Sequence, residues 1–251
     1  MRPDQKSSGV FFVHVMKSCG ISLNRQLQAA VSAENSYPRP GAGPTGHKVM
    51  VHLLEKHCDS EPARFVTVHM AAWTAAAFAP EHLHVTVLRE PVARTVSHLR
   101  QIARSSYGPD TAEAVWAEAD FRVRLTDYQT RLFSLEQHAP APDLGNAKPE
   151  DFATSMRVFR LTAMSGVGPV TEEDFERARA RLEQFDVVGV TERLQSFADR
   201  LASRAELELG EIGRENAAPA SEPLPAEILD EIVEATSFDR RLHERAQELS
   251  V

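Results

Sequence analysis

Between Val10 and Leu23 the chain reads Val-Phe-Phe-Val-His-Val-Met-Lys-Ser-Cys-Gly-Ile-Ser-Leu. An apolar, β-branched and aromatic run stops at Lys17, a turn with Gly20 follows, and Leu23, Leu27 and Ala30 then recur at helical spacing. Strand, loop and helix in this order suit an anion. The first N–H groups of a helix have no intrahelical partner, and the macrodipole leaves about half a positive charge there. Lys17 adds a full charge, Ser18 and Ser22 offer hydroxyl donors, and Gly20 lets the backbone approach a phosphate closely. The plainer alternative is an ordinary strand-to-helix turn with a surface lysine.

A second segment, His84 to Gln101, repeats the arrangement. Its β-rich run ends at Leu88, Arg89 follows, Pro91 suits a first helical position, and Val92, Val96 and Leu99 keep helical spacing. Taken alone, Arg89 and Ser97 read as a surface salt bridge and a solvated hydroxyl, although a guanidinium fork also suits phosphate oxygens. Two strand-end anion sites in the right order are harder to explain as surface decoration than one. Neither is a Walker A loop, because Lys17 precedes Gly20 and no Gly-Lys-Ser/Thr follows.

These segments together resemble the sulfotransferases that use PAPS (3′-phosphoadenosine 5′-phosphosulfate), in particular the carbohydrate-type, family 2-like group. Their 5′-phosphosulfate loop commonly reads Pro-Lys-Thr-Gly-Gly-Thr-Ser; Lys17, Ser18, Gly20 and Ser22 fit it, while Met16, Cys19 and Ile21 depart. Their 3′-phosphate segment is close to Leu-Arg-Asp-Pro-x-x-Arg-x-x-Ser, kept here from Leu88 to Ser97 with Glu90 for the aspartate. Asp127-Tyr-Gln-Thr-Arg-Leu132 is similar to their Asn-x-Gln-Thr-Arg segment. Phe185-Asp-Val-Val-Gly-Val-Thr-Glu-Arg193 resembles a late strand, and Phe238-Asp-Arg-Arg-Leu242 a closing helix. The resemblance runs through most of the chain. It implies a three-layer, P-loop-like α/β fold, with a mainly parallel central sheet and helices on both faces.

The resemblance further implies that Lys17, Ser18, Cys19, Gly20, Ile21, Ser22, Leu23, Arg89, Ser97 and Thr191 bind PAPS and its product PAP, without a required metal. Transfer to an acceptor hydroxyl then needs a base. His69 closes the run Phe-Val-Thr-Val, where the family often has a Gly-His segment, and is the first candidate for the base beside Lys17 as catalytic residues. A histidine serving only as a strand-end residue is the alternative. His47, His52 and His57 fall on an amphipathic helical pattern, and His98 is expected to be turned away by the direction of its helix. The acceptor is a small molecule or saccharide. A P-loop phosphotransferase and a module that binds PAP without turnover remain the competing readings. A nucleophilic role for Cys19 competes with a plain loop substitution.

The elements that must position these groups are short. Val10–Val15, Phe65–Val68, Val85–Leu88 and Val187–Val190 are predicted strands separated by helical patterns, which argues for a parallel sheet covered on both faces. Ligands bind beyond the carboxyl ends of such strands. Lys17, His69, Arg89 and Thr191 lie at or just past those ends. The segments 36–46, 139–149 and 215–225 read as Pro- or Gly-rich loops and breaks, and 172–185 and 193–209 as amphipathic surface helices.

With 251 residues the chain is long enough for one domain, 1–251, with a sizeable core. A net charge of −8 argues against a nucleic-acid partner but not against a nucleotide site, which needs only local positive charge. No apolar run approaches the roughly 20 residues of a membrane span, and the N-terminal residues lack a signal-peptide core. The expected location is the cytoplasm. Cys19 and Cys58 form no CxxC or zinc pattern and are expected to be reduced thiols.

Overall fold

Short Val- and Phe-rich runs become strands because β-branched and aromatic side chains suit a pleated surface covered on both sides. The computed structural model describes residues 9–18, 20–32, 34–37, 63–105, 109–136, 169–212 and 223–251. Its strands are β1 (Val10–Val13), β2 (Ser36–Tyr37), β3 (Phe65–Val68), β4 (Leu83–Leu88) and β5 (Val187–Val190). All pair in parallel, in the order β2-β3-β1-β4-β5.

Ten helices complete the described chain. They are α1 (Gly20–Val31), α2 (Trp73–Phe78), α3 (Pro91–Ala103), α4 (Ala112–Ala117) and α5 (Ala119–Leu125). After them come α6 (Tyr128–Ser134), α7 (Glu172–Leu182), α8 (Leu194–Ala205), α9 (Ala226–Ala235) and α10 (Ser237–Leu249).

Alternation along each strand divides the core into two layers. Val10, Phe12, Phe65, Val85 and Val187 pack against Leu23 and Leu27 of α1 and Phe197 and Leu201 of α8. Phe11, Val13, Val66, Val68, Val188 and Val190 face the other way, against Leu132 of α6, Phe175 and Leu182 of α7, and Leu242 of α10. This is the expected three-layer α/β arrangement. A satellite cluster of Leu99, Val115, Trp116, Phe121 and Ile232 joins α3, α4, α5 and α9.

Register sets the site. Val13 lies opposite both Val68 and Thr86, and Leu88 lies opposite Val190. The next residues, His14 with His69 and Arg89 with Thr191, therefore sit at one edge of the sheet. From β1 the chain leaves towards β2, and from β4 it leaves in the opposite direction towards β5. Between such diverging connections an α/β sheet opens a crevice.

Several sequence expectations shift. β1 ends at Val13 rather than Val15, although His14 N–H still donates to the Val68 carbonyl (2.8 Å). β4 begins two residues earlier than expected. Ser36 and Tyr37, expected to open a loop, pair with β3 as a short edge strand; two polar-flanked residues give no periodicity to read. The helix α1 starts at Gly20, before its first apolar residue. The amphipathic patterns at 172–185 and 193–209 become the shorter α7 and α8. Cys19, His47, His52, His57, Cys58, the break at 139–149 and most of the loops at 36–46 and 215–225 lie outside the described residues. Among the described residues no helix is long and apolar enough to cross a membrane.

Candidate functional site

The turn after β1 is tight. Ser18 N–H donates to the Val15 carbonyl (3.2 Å), and Lys17 takes a left-handed backbone with φ 71°. That region disfavours a side chain with a Cβ, and such residues gather at functional turns. Ser18 is 1% exposed and its Oγ is buried without a hydrogen-bond partner. A buried hydroxyl in that state is costly unless something outside the chain satisfies it.

The helix ends on either side differ. At α3 the Glu90 carboxylate accepts from Val92 N–H (3.0 Å) and Ala93 N–H (2.7 Å), with Pro91 in the first turn. The glutamate thus performs the cap, and this helix end is closed. The first turn of α1 carries no acidic residue. Ser22 is buried there and Ile21 is half-exposed. The Leu23 side chain is fully buried between α1 and the sheet, so what this residue has to offer a ligand is its backbone.

Arg89 joins the two strand ends directly. Its Nη1 donates to the Lys17 carbonyl at 3.0 Å. Its backbone is gripped from α6, where Gln129 Oε1 accepts from Arg89 N–H (3.1 Å) and Gln129 Nε2 donates to the Arg89 carbonyl (2.9 Å). Gln129 in turn is fixed by Asp239 of α10. The Asp239 carboxylate accepts from the N–H groups of Gln129 (3.1 Å) and Thr130 (2.7 Å), capping α6 from outside.

Asp127 returns the favour to α10, with Oδ1 accepting from Phe238 and Asp239 N–H, both at 2.9 Å. The two carboxyls cap each other's helices. Burial and the neighbouring Asp239 push the Asp127 carboxyl up to about 7, against the pull of those two N–H donors. Burial also raises Asp239, which Arg94 opposes.

Arg94 is wholly buried on α3. It donates to Thr95 Oγ1 (3.0 Å) and the Leu125 carbonyl (3.2 Å), and its guanidinium lies 4.5 Å from the centre of the Tyr128 ring. Burial lowers its pKa, while the charge of Asp239 supports the cation and Arg89 and Arg131 oppose it.

The histidines divide by role. His82 and His84 use Nε2 on the carbonyls of Ala63 (2.8 Å) and Ala79 (2.9 Å), at the far end of β4 from Arg89. His69 places Nδ1 2.8 Å from the His14 carbonyl, and the two rings are 4.1 Å apart. A carbonyl only accepts, so Nδ1 carries the proton and the basic lone pair is on Nε2.

His98 departs from expectation. Instead of turning away it lies beside Arg94, whose Nη1 is 3.4 Å from His98 Nδ1, and edge-on to Tyr128. Burial, followed by the positive charges of Arg94, Lys17 and His69, holds its pKa well below the usual histidine range. Its imidazole is neutral at physiological pH. Its surroundings depend on where α6 brings Tyr128, a packing that the spacing of α3 does not encode.

Ser97 is half-buried on α3, one residue before His98. Thr191 opens a 3₁₀ turn after β5, and its hydroxyl donates to Glu192 Oε1 (3.1 Å); Glu192 Oε2 is 3.4 Å from His243 Nε2. Lys17 and Arg89 are therefore brought together by a direct contact, and the field of Lys17 and His69 at His98 puts these three in one neighbourhood. The roles of Gln129, Asp127 and Asp239 were unassigned, although all three lie in segments the sequence singles out. No family model matches the chain, and no curated protein resembles it at a significant level.

Proposed function

We propose that this chain is a PAPS-dependent sulfotransferase, a single cytoplasmic domain that moves a sulfuryl group to a hydroxyl of a small-molecule or saccharide acceptor. The observation that carries the reading is the 3.0 Å contact between Arg89 Nη1 and the Lys17 carbonyl. It ties the Arg89 side chain to the backbone of the Lys17 turn where the connections diverge, which supports one site drawing on both strand ends. A nucleotide with phosphate at both its 3′ and 5′ positions calls for two cations. A nucleoside triphosphate calls instead for a Gly-Lys-Ser/Thr loop with an acidic magnesium partner, and Arg89 stands at the strand end where that acid would be expected. The buried, unpartnered Ser18 hydroxyl supports an external acceptor of hydrogen bonds at the loop.

When bound, PAPS supplies an activated sulfonate attached to a phosphate leaving group. Lys17 and the positive N-terminal end of α1 neutralise the charge that grows at the 5′ end. Arg89 and Ser97 hold the 3′-phosphate, the former by its bidentate fork. His69, fixed by the His14 carbonyl in the tautomer with a basic Nε2, takes the proton of the acceptor hydroxyl.

Labelled PAPS offered with a panel of hydroxylated metabolites and sugars, in the presence of a chelator, tests the reading. Transfer to at least one acceptor, unaffected by the chelator, is expected. PAP binding without transfer to any acceptor would identify a binding module, and magnesium-dependent phosphoryl transfer from ATP a kinase.

A further inference from the structure

We propose that Gln129 is the positioning residue for Arg89, and that Asp239 of the last helix fixes Gln129 for that task; this rests on the reading of Arg89 as the 3′-phosphate group. Arg89 is the first residue after β4, where the pairing of Leu88 with Val190 is the last of the ladder. Beyond that point its N–H and C=O have lost their strand neighbour. The Gln129 amide replaces it, accepting from the N–H at 3.1 Å and donating to the C=O at 2.9 Å. One side chain thus extends the sheet by one residue and fixes the Cα from which the guanidinium projects.

A side-chain amide, like a backbone peptide, carries its acceptor and its donor on separate atoms of one uncharged plane, which lets it meet a C=O and an N–H at once. Gln129 is itself wholly buried, and Asp239 holds its N–H and that of Thr130. The Asp239 backbone N–H is secured by Asp127. A continuous run of hydrogen bonds therefore leads from the start of α10 through α6 to Arg89 and on to the Lys17 carbonyl. A phosphate fork has to be aimed, because its strength lies in two parallel N–H···O bonds and is lost when the guanidinium tilts.

The test compares the dissociation constants of PAP and 5′-AMP, which differ only in the 3′-phosphate, on the full chain by calorimetry. Melting temperature is recorded on the same samples. The unaltered chain should prefer PAP strongly. Gln129→Met, similar in volume but without hydrogen bonds, should reduce that preference about tenfold or more while 5′-AMP affinity stays within about threefold. Gln129→Glu keeps the acceptor, removes the donor in its ionised form, and should also lose preference; it carries the test if Gln129→Met does not fold. A merely structural Gln129 would lower the melting temperature and leave the ratio intact in the folded fraction. A native PAP preference in either folded variant overturns the proposal. Equal affinity for PAP and 5′-AMP in the unaltered chain overturns it differently, by removing the reading of Arg89 itself.

Discussion

Lys17 holds a left-handed backbone at φ 71°, a conformation that costs a non-glycine residue about 1–2 kcal/mol. Lys17→Gly should therefore raise the melting temperature while turnover falls by roughly 10²–10³, the scale of losing one preorganised donor. Lys17→Ala keeps the same backbone cost and should lose turnover equally, without the gain in melting temperature. Thermal unfolding and labelled-PAPS turnover on both variants check this, and a variant with native turnover would show that the loop serves another end. His69 is the complementary case. Its Nδ1–H is committed to the His14 carbonyl, so His69→Ala should slow the chemical step by about 10²–10⁴ while PAP affinity is nearly retained. Single-turnover rates and PAP titrations on the same preparation decide it. A rate that merely tracks the folded fraction would make His69 a structural histidine, and attention would pass to the neutral His98 nearby.

Among the elements, the reciprocal caps between α6 and α10 set a pH dependence. Asp127 is raised from its ordinary value of 3.8 to about 7 in the folded chain. Between about pH 4 and 7 the folded chain holds a proton that the unfolded chain has released, so stability is highest below that range and falls as pH rises through it. Asp127→Asn leaves an oxygen to accept from Phe238 and Asp239 N–H and abolishes the titration. Its melting temperature should match or exceed that of the native chain at about pH 8 and decline less from about pH 5 upward. The β5–α8 contact gives a second check. A Cβ on Gly189 would stand 2.5 Å from Phe197 Cδ2, so Gly189→Ala should destabilise by about 1–3 kcal/mol in denaturant titrations.

The same scale explains what could be read from the sequence. β3 and β5 were legible to the residue because a run of Val and Phe between polar residues has one reading in a covered sheet. Lys17 and Arg89 were legible because strand ends locate them. The Gln129 clamp was not, since its bonds to Arg89 span 40 residues and follow from where α6 docks. Asp239 acts across 110 residues for the same reason.

For the whole molecule, the layers on either side of the sheet bring two strand ends to one edge of it, and the proposed function predicts a nucleotide preference there. A ligand that binds only the folded chain stabilises it by about 2.7 kcal/mol at a hundredfold excess over its dissociation constant. For a chain of 251 residues that is on the order of 5–10 °C in melting temperature. The account holds that Arg89 and Lys17 form one site for the two phosphates of PAP. Thermal unfolding with PAP and with ATP, each titrated to saturation without magnesium, tests this most directly. A shift of that size with PAP, and a much smaller one with ATP, is the predicted result; equal shifts with the two nucleotides, or none with PAP, would contradict it.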